Sequence, residues 1–396
     1  MSAGGRRQAR RRRLGGTLAG TVVLALAACG SGDPAPADTS SPTGSSAGPS
    51  SSPSPPPTCT EQTLAELDLR QRVGQLLLVG VPVADPVAGF AQLSGVPVGG
   101  VFLQGRSSAG VAALAAAVAQ VQAAAELPLQ IAVDQEGGHV QTLRGPGFDD
   151  LPTAVEQGRL PADALRSDVG RWAAQLRDAG ITLDLAPVAD TVPAGTEGGN
   201  PSIGANDRQY GSDPAQVAAT VTTVVTALQD AGVAAAAKHF PGLGRVPVDT
   251  DTASGGVDPE TTHTDPFLAP FAAAVEAGTA AVMVSSASYP QLDPNRVAVF
   301  SAPVIDLLRN DLGFDGVVVS DDLATEAVAG TPVERRAVEA VTAGVDVLLT
   351  VETADARPLA GSLVEQATVD PAFAARVSES ARRVLALKER FGLLTC

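Results

Sequence analysis

Two adjacent aspartates, Asp321 and Asp322, follow the apolar run VVVS at residues 317–320. An ionised carboxylate in such a position can bind a metal, accept hydrogen bonds from substrate hydroxyls or act as a nucleophile. Both residues also suit the N-cap of a following helix, so a structural role is the alternative. Asp321 lies nearer the apolar run and is the better candidate for chemistry, whereas Asp322 is the better candidate for a cap.

A lysine and a histidine lie near the end of a second apolar run, AAAAKHF, residues 234–240. Lys238 is one of two lysines in the chain, and His239 is one of three histidines. A Pro-Gly turn and an acidic loop containing Asp249 and Asp251 follow directly. The pattern predicts two cationic or hydrogen-bonding groups at the end of a strand, beside a loop that carries carboxylates.

Two further segments contain candidate binding residues. Asp134 ends the run LQIAVD and precedes Gly137 and Gly138, which let the backbone turn tightly. Its carboxylate can bind substrate hydroxyls, but turn chemistry explains Asp and Gly equally well. Arg208 is the only cation of the loop-like segment NPSIGANDRQYGSDP, where it can bind a polar ligand or remain a solvated surface side chain.

Apolar runs typical of buried strands alternate with amphipathic or Ala-rich helical stretches between these groups. Continuous apolar strands with helices between them indicate a parallel sheet that is covered on both faces. Eight such units predict a single (β/α)₈ barrel over residues 59–396, with catalytic groups at the C-terminal strand ends. An open doubly wound sheet is the alternative, although no glycine-rich phosphate loop follows the first strand. The predicted strands lie near residues 75–81, 99–105, 129–134, 182–188, 232–240, 280–286, 315–321 and 345–351.

The N-terminus has the composition of a targeting segment. Residues 1–28 combine an arginine-rich start with a short apolar stretch, too short for a comfortable membrane span. The stretch ends in Leu-Ala-Ala-Cys29, which resembles a bacterial lipobox and implies lipidation of Cys29. An ordinary secretory signal is the alternative. Residues 29–58 are rich in Ser and Pro and predict a disordered tether, so we expect an exported lipoprotein on the outer face of the cell membrane.

Charge and cysteine content limit the partners and the compartment. The net charge is −16, and because residues 1–28 contain six arginines and no acid, the remainder carries about −22. Such a chain lacks the basic surface that a nucleic-acid partner needs. Cys59 and Cys396 stand at the two ends of the predicted barrel, and export would permit a disulfide between them. We expect that bond rather than two free thiols, and we expect a monomer.

The motifs taken together resemble glycoside hydrolase family 3, specifically its bacterial β-N-acetylglucosaminidases. They occur in the family's order from about residue 75 to the C-terminus. The resemblance implies a single barrel and a retaining hydrolase that removes β-linked N-acetylglucosamine, commonly from cell-wall fragments, without a metal or organic cofactor. The matching segments are DQEGGHV, LAPVAD, NPSIGANDRQYGSDP, KHFPGLG, YPQLDP and GFDGVVVSDDL.

The resemblance assigns roles to residues of this sequence. The nucleophile falls on Asp321, and binding of the sugar falls on four residues: Asp134, Arg208, Lys238 and His239. The family's acid/base is a histidine in an Asp-Ser-His triplet, but Asp249-Thr250-Asp251 stands here. Asp251 is therefore the candidate acid/base, with Asp249 as the charged neighbour that would raise its pKa.

Three other family positions differ. Leu243 replaces a histidine in the FPGHG segment, and Ser286 replaces the histidine before YPQLDP. Thr142 replaces a substrate-binding arginine, for which Arg144 is the candidate substitute. Three hypotheses follow: a slow or altered glycosidase using Asp321 and Asp251, a barrel that binds a glycan or muropeptide without cleaving it, and a surface scaffold lipoprotein.

Overall fold

The computed structural model describes residues 58–396. The predicted signal peptide, the lipidation site at Cys29 and all of the predicted tether except Thr58 lie outside this range. No helix within residues 58–396 is both long and apolar enough to cross a membrane.

Eight parallel strands form the centre of the described chain, in the order β10-β1-β2-β3-β6-β7-β8-β9. A parallel bridge between Val319 and Val347 joins the last strand to the first, so the sheet closes into a barrel. Two short antiparallel strands, β4 and β5, form a hairpin directly after β3. The strands are β1 Leu77–Pro82, β2 Gly100–Gln104, β3 Gln130–Val133, β4 Gln135–Gly137, β5 Val140–Gln141, β6 Leu183–Asp184, β7 Ala234–Phe240, β8 Ala281–Val284, β9 Val317–Ser320 and β10 Leu348–Thr350.

The structure confirms the predicted (β/α)₈ barrel, and the doubly wound open sheet is wrong. Each of the eight predicted apolar runs overlaps one barrel strand, and β6 and β10 are much shorter than their runs, with two and three residues. The β4–β5 hairpin was not predicted. Gly137 and Gly138 both have positive φ there, 104° and 53°, which explains why glycine occupies this turn.

Helices surround the barrel. Helix α7 begins after Asp213, whose side chain accepts a hydrogen bond from the Ala215 amide, and the helix carries Pro at its first position. The helices are α1 Cys59–Glu66, α2 Leu69–Gln75, α3 Pro86–Ala91, α4 Val111–Ala124, α5 Ala154–Gln157, α6 Ala162–Asp178, α7 Pro214–Asp230, α8 Ala269–Glu276, α9 Ala302–Asp306, α10 Val333–Ala343, α11 Ala356–Val369 and α12 Pro371–Arg390.

Two apolar clusters stabilise this arrangement. The larger cluster lies between the strands and the surrounding helices. The smaller cluster fills the barrel interior, because side chains alternate between the two faces of each strand. Val384 and Leu387 of α12 belong to the interior cluster, so α12 covers one end of the barrel. At the other end, the interior side chains form the floor of a cavity.

The predicted disulfide between Cys59 and Cys396 is confirmed. Their Cα atoms lie 5.6 Å apart across a sequence separation of 337 residues. Glu389 of α12 supports the same junction, since its carboxylate accepts hydrogen bonds from the backbone amides of Cys59 and Thr60 at 3.2 and 2.9 Å. The start of α1 is therefore joined covalently to the segment after α12, and by hydrogen bonds to α12 itself.

Candidate active site

A cavity of about 420 Å³ opens at the C-terminal ends of the barrel strands. Its floor is formed by apolar side chains of the barrel interior: Phe102, Leu185, Met283 and Leu349. A larger cavity of about 660 Å³ lies near the N-terminal strand ends, beside Gln75 and Leu129, and none of the predicted site residues line it. Barrel enzymes carry their reactive groups at the C-terminal face, so the smaller cavity is the candidate active site.

Seven of the eight residues proposed for catalysis or substrate binding line this one cavity. They come from three strand ends and two loops that are up to 187 residues apart in the chain, between Asp134 and Asp321. The seven are Asp134, Arg208, Lys238, His239, Asp249, Asp251 and Asp321. Arg144 is the exception. It is solvent-exposed, bonds to Asp150 at 2.8 Å and to the Gly138 carbonyl, and does not line the cavity.

The end of β7 contributes a lysine that is ion-paired on two sides. Lys238 Nζ lies 2.6 Å from Asp134 Oδ1 and 2.6 Å from Glu136 Oε1. Arg208 binds the same Glu136 carboxylate in a bidentate way, with Nη2 2.7 Å from Oε1 and Nε 2.8 Å from Oε2. Asp134 keeps 26% of its side chain exposed, so the group facing the cavity is a carboxylate already held by a cation.

Glu136 was missed by the sequence reasoning, although it lies within the DQEGGHV segment. Burial by itself would raise the pKa of Glu136. The charges of Arg208 and Lys238, together with their hydrogen bonds, outweigh burial and lower the pKa of this carboxyl to about 2. Glu136 is therefore an anion throughout the neutral range, and the only sequence signal for it was its acidic type inside an apolar, glycine-rich segment.

A third carboxyl lies behind this group. Asp184 ends β6, is buried and accepts a hydrogen bond from the Gln135 amide at 3.0 Å. Burial, with the charges of Asp134 and Glu136, raises the pKa of Asp184 to about 7, against the opposing effects of Gln135 and Lys238. Asp184 thus carries a proton for much of the time near neutral pH, which limits the excess of negative charge around Lys238.

His239 is held by a buried aspartate. Its Nδ1 lies 2.7 Å from Asp190 Oδ2, and Asp190 Oδ1 also accepts the backbone amides of His239 and Leu243 at 3.2 and 2.8 Å. A carboxylate at Nδ1 favours the tautomer that carries its proton there, which leaves Nε2 as the other ring nitrogen available to a ligand. Asp190 is the last residue of the matching segment LAPVAD, and no role was assigned to it from the sequence.

The two aspartates after β9 differ in their surroundings. Asp321 lines the cavity, and its backbone amide donates to Val284 of the neighbouring strand at 2.9 Å. Asp322 Oδ1 accepts the amides of Ala324 and Val351 at 2.9 and 3.0 Å. No helix begins directly after Asp322, so its expected cap role is replaced by a turn that joins the ends of β9 and β10. Burial raises the pKa of Asp322 to about 6.

Asp249 and Asp251 lie on a loop at the cavity mouth. Asp249 Oδ1 accepts the backbone amide of Asp251 at 3.1 Å, so Asp249 shapes the turn that carries Asp251. Although Asp251 as a residue is solvent-exposed, partial burial of its carboxyl and the charges of Asp321 and Asp249 raise its pKa to about 6. His239 and Arg208 oppose this rise. A carboxyl with this pKa can be protonated or ionised near neutral pH.

The other departures from the family pattern are buried. Leu243 lines the cavity with 2% of its surface exposed, and Thr142 is also buried. The Ser286 hydroxyl is buried and has no hydrogen-bond partner within the described residues. Within residues 58–396 no group of three or more His, Cys, Asp or Glu side chains is arranged to hold a metal ion.

Comparison with known proteins identifies the family. A family model described as the glycosyl hydrolase family 3 N-terminal domain matches residues 68–387. A β-hexosaminidase from Stenotrophomonas maltophilia strain K279a is 38% identical over 291 residues, which are 69% of this chain and 82% of that protein.

Solved structures agree with this match. A β-N-acetylhexosaminidase from Beutenbergia cavernae is 46% identical with a TM-score of 0.80, over 82% of this chain and 99% of that one. A family 3 glycosyl hydrolase from Mycobacterium smegmatis is 30% identical with a TM-score of 0.72, over 82% and 98%. The chain therefore belongs to glycoside hydrolase family 3 and is a glycosidase.

Proposed function

We propose that the protein is an exported, lipid-anchored β-N-acetylglucosaminidase that acts on cell-wall fragments or related glycans with retention of configuration. The single observation that carries the proposal is that Asp321, Asp251 and the four expected sugar-binding residues line one cavity at the C-terminal strand ends. The names of the similar proteins from Stenotrophomonas and Beutenbergia support the choice of sugar.

In the first step of the proposed reaction, the Asp321 carboxylate attacks the anomeric carbon as the glycosidic bond breaks. The protonated Asp251 donates its proton to the departing oxygen, which leaves as an alcohol. The product of this step is a glycosyl ester on Asp321.

In the second step, ionised Asp251 removes a proton from water while the water oxygen attacks the same carbon. The ester bond breaks, the sugar departs with its original configuration, and both carboxyls return to their initial states. The raised pKa of Asp251, about 6, suits a group that must give and then take a proton.

Two aryl N-acetyl-β-glucosaminides test this proposal, one with a good leaving group and one with a poor leaving group. We expect wild type to cleave both and a mechanism-based fluorosugar to label Asp321. Asp251→Asn should lose about 10²- to 10⁴-fold in kcat/KM on the poor leaving group and keep most of the kcat/KM on the good one, because kcat/KM reports the first step and not the second step that both substrates share. Absence of both cleavage and labelling in wild type would refute the enzyme proposal.

A barrel that binds a glycan without turnover is the second candidate, favoured by the aspartate at position 251 and by the buried Ser286 hydroxyl, which has no hydrogen-bond partner within residues 58–396. Saturable binding of N-acetylglucosamine by calorimetry, with no cleavage of either aryl glycoside, would select this candidate.

The proposed location has a separate test. Fatty-acid labelling and membrane fractionation of the full chain should show a labelled, membrane-associated protein. Cys29→Ala should abolish the label and release the protein from the membrane fraction. A labelled Cys29→Ala protein, or an unlabelled wild type, would contradict the proposed anchor.

A further inference from the structure

Four charged side chains meet beside the candidate active site, and one of them does not reach the cavity. Lys238, Arg208 and Asp134 line the cavity, whereas Glu136 lies behind them with 3% of its side chain exposed. Both Glu136 oxygens are used. Oε1 lies 2.6 Å from Lys238 Nζ and 2.7 Å from Arg208 Nη2, and Oε2 accepts Arg208 Nε at 2.8 Å.

The contacts leave a defined set of donors for a ligand. Lys238 has three N–H groups, of which Asp134 and Glu136 take two. Arg208 has five, of which Glu136 takes two and the Ser202 carbonyl takes one at 2.8 Å. One N–H of Lys238 and two of Arg208 therefore remain for hydroxyl or carbonyl oxygens of a bound sugar.

We propose that Glu136 is a positioning residue for sugar binding: its carboxylate joins Lys238 and Arg208 into one rigid unit and directs their remaining N–H groups into the cavity. Glu136 acts through these two residues and does not touch the substrate. This inference rests on the proposed function, because it gives a specific task to residues expected to bind the sugar.

The chemistry of the site requires a carboxylate at this position. A glutamine there has one acceptor oxygen and presents an NH₂ group to a cation, so it cannot receive all three N–H groups. An aspartate keeps the charge but is shorter by one methylene and cannot reach both partners at the same distances. Loss of the anion would also leave two buried cations opposite Asp134 and an Asp184 carboxyl that is only partly ionised near pH 7.

The charge of Glu136 also affects the protonation of Lys238. Burial opposes the charged form of Lys238, whereas Asp134 and Glu136 raise its pKa above the usual value and Arg208 lowers it. Without Glu136 the pKa of Lys238 falls. Lys238 would then lose its proton, and the sugar would lose its cationic partner, at a lower pH than in wild type. Glu136 also raises the pKa of Asp184, so in its absence Asp184 ionises at a lower pH, and this partly offsets the fall in the pKa of Lys238.

The test measures the affinity for N-acetylglucosamine by calorimetry and KM and kcat on the good-leaving-group aryl glycoside, from pH 6 to pH 9. In Glu136→Gln we expect the Kd and KM to rise about 10- to 100-fold at pH 7, with a smaller fall in kcat. As the pH rises, binding to this variant should weaken at a lower pH than binding to wild type. Glu136→Asp, which keeps the charge, should recover the wild-type pH dependence and part of the affinity.

Asp346→Asn is the matched control for the loss of a buried carboxylate. Asp346 is fully buried and binds Arg309, Arg376 and Arg383 remote from the cavity lining. The Asp346→Asn variant should unfold at a lower temperature than wild type, and its Kd for N-acetylglucosamine and the pH dependence of that Kd should be unchanged.

The outcomes separate this inference from the proposed function. A wild type that neither binds nor cleaves the sugar overturns both. A wild type that binds, with a Glu136→Gln affinity and pH dependence within twofold of it, overturns only the role of Glu136. If Glu136→Gln does not fold, an unchanged affinity in Glu136→Asp overturns the inference, and an affinity weakened several-fold at unchanged folding supports it.

Discussion

At the scale of single residues, Asp251 is a carboxylate where the family resemblance predicts an imidazole. Its pKa of about 6 arises from partial burial and from the charges of Asp321 and Asp249. An unperturbed aspartate, with a pKa near 3.9, would be almost fully ionised at neutral pH. The cavity thus moves the pKa of this aspartate towards that of a histidine. The charged form of Asp251 is nevertheless its deprotonated anion, whereas the charged form of a histidine is its protonated cation.

The pH dependence of activity tests this role of Asp251. The first step needs the protonated acid, so kcat/KM on the poor leaving group should fall as the pH rises through about 6. Asp249→Asn should move this fall to lower pH, because it removes a negative charge that raises the pKa of Asp251. A wild-type profile that is flat from pH 6 to pH 8 would rule out Asp251 as the acid.

At the scale of secondary-structure elements, the loop that carries Asp251 is joined to the loop after β9. The backbone amides of Glu326 and Ala327 donate to the carbonyls of Asp251 and Thr250, each at 3.3 Å. Glu326 begins a 3₁₀ helix, Glu326–Val328, directly after the loop of the proposed nucleophile. These contacts connect the proposed acid and the proposed nucleophile through the backbone rather than through side chains.

Glu326→Pro should loosen this connection with little effect on folding. Proline removes the amide that binds the Asp251 carbonyl, yet it suits the first position of a helical turn. Thr325 has φ −73° and ψ 160°, a conformation allowed before proline. We expect a several-fold loss of kcat/KM on the poor leaving group only, measured beside Glu326→Ala, which keeps the amide. Equal activities of the two variants would show that this hydrogen bond does not position Asp251.

Helix α12 closes the opposite end of the barrel with a buried lysine. Lys388 is fully buried and donates to Gln75 Oε1 at 2.6 Å, and no carboxylate pairs with it within the described residues. Burial lowers the pKa of Lys388 from 10.5 to about 7. The unfolded chain binds this proton more tightly than the folded chain does. Burial of charged Lys388 therefore lowers the free energy of unfolding, fully below pH 7 and progressively less as the pH rises towards 10.5.

Lys388→Met therefore changes the pH dependence of stability. The free energy of unfolding of the variant relative to wild type should be most favourable at or below pH 7 and should decline towards pH 10. Chemical denaturation at several pH values measures this difference. Arg390→Met, near the exposed end of the same helix, is the control and should show no such trend. A pH-independent difference for Lys388→Met would contradict the lowered pKa.

At the scale of the whole molecule, the two ends of the barrel are joined to each other. The disulfide closes a loop of 337 residues, and Glu389 caps α1 at the same junction. A cross-link across so long a loop removes much conformational freedom from the unfolded chain. The closed barrel likewise leaves no free sheet edge among its eight strands.

Removing the disulfide should lower stability without affecting the site. We expect the double variant Cys59→Ser/Cys396→Ser to lose about 2–5 kcal/mol of unfolding free energy. Its kcat/KM at 25 °C should remain that of wild type, since neither cysteine lies near the cavity lining. Calorimetry in the presence of a thiol reductant should bring wild type to the melting temperature of the variant. An unchanged melting temperature in both cases would contradict a stabilising role.

The sequence by itself determined the features that depend on local patterns. Apolar runs of strand length, alternating with helices, predicted each barrel strand because burial on both faces requires such runs. The polar residues after those runs predicted the cavity lining, since parallel strands deliver their C-terminal ends to one face. The positions of Cys59 and Cys396 at the ends of the barrel predicted their bond.

Only the tertiary structure decided which side chains touch. Glu136 meets Lys238 and Arg208, and Asp190 meets His239, across separations of 49 to 102 residues that no local pattern encodes. Arg144, chosen for its nearness in sequence to Thr142, points to Asp150 instead. A residue's type states which bonds it can form, but its partner depends on how the barrel closes, because each strand end is brought beside groups from distant parts of the chain.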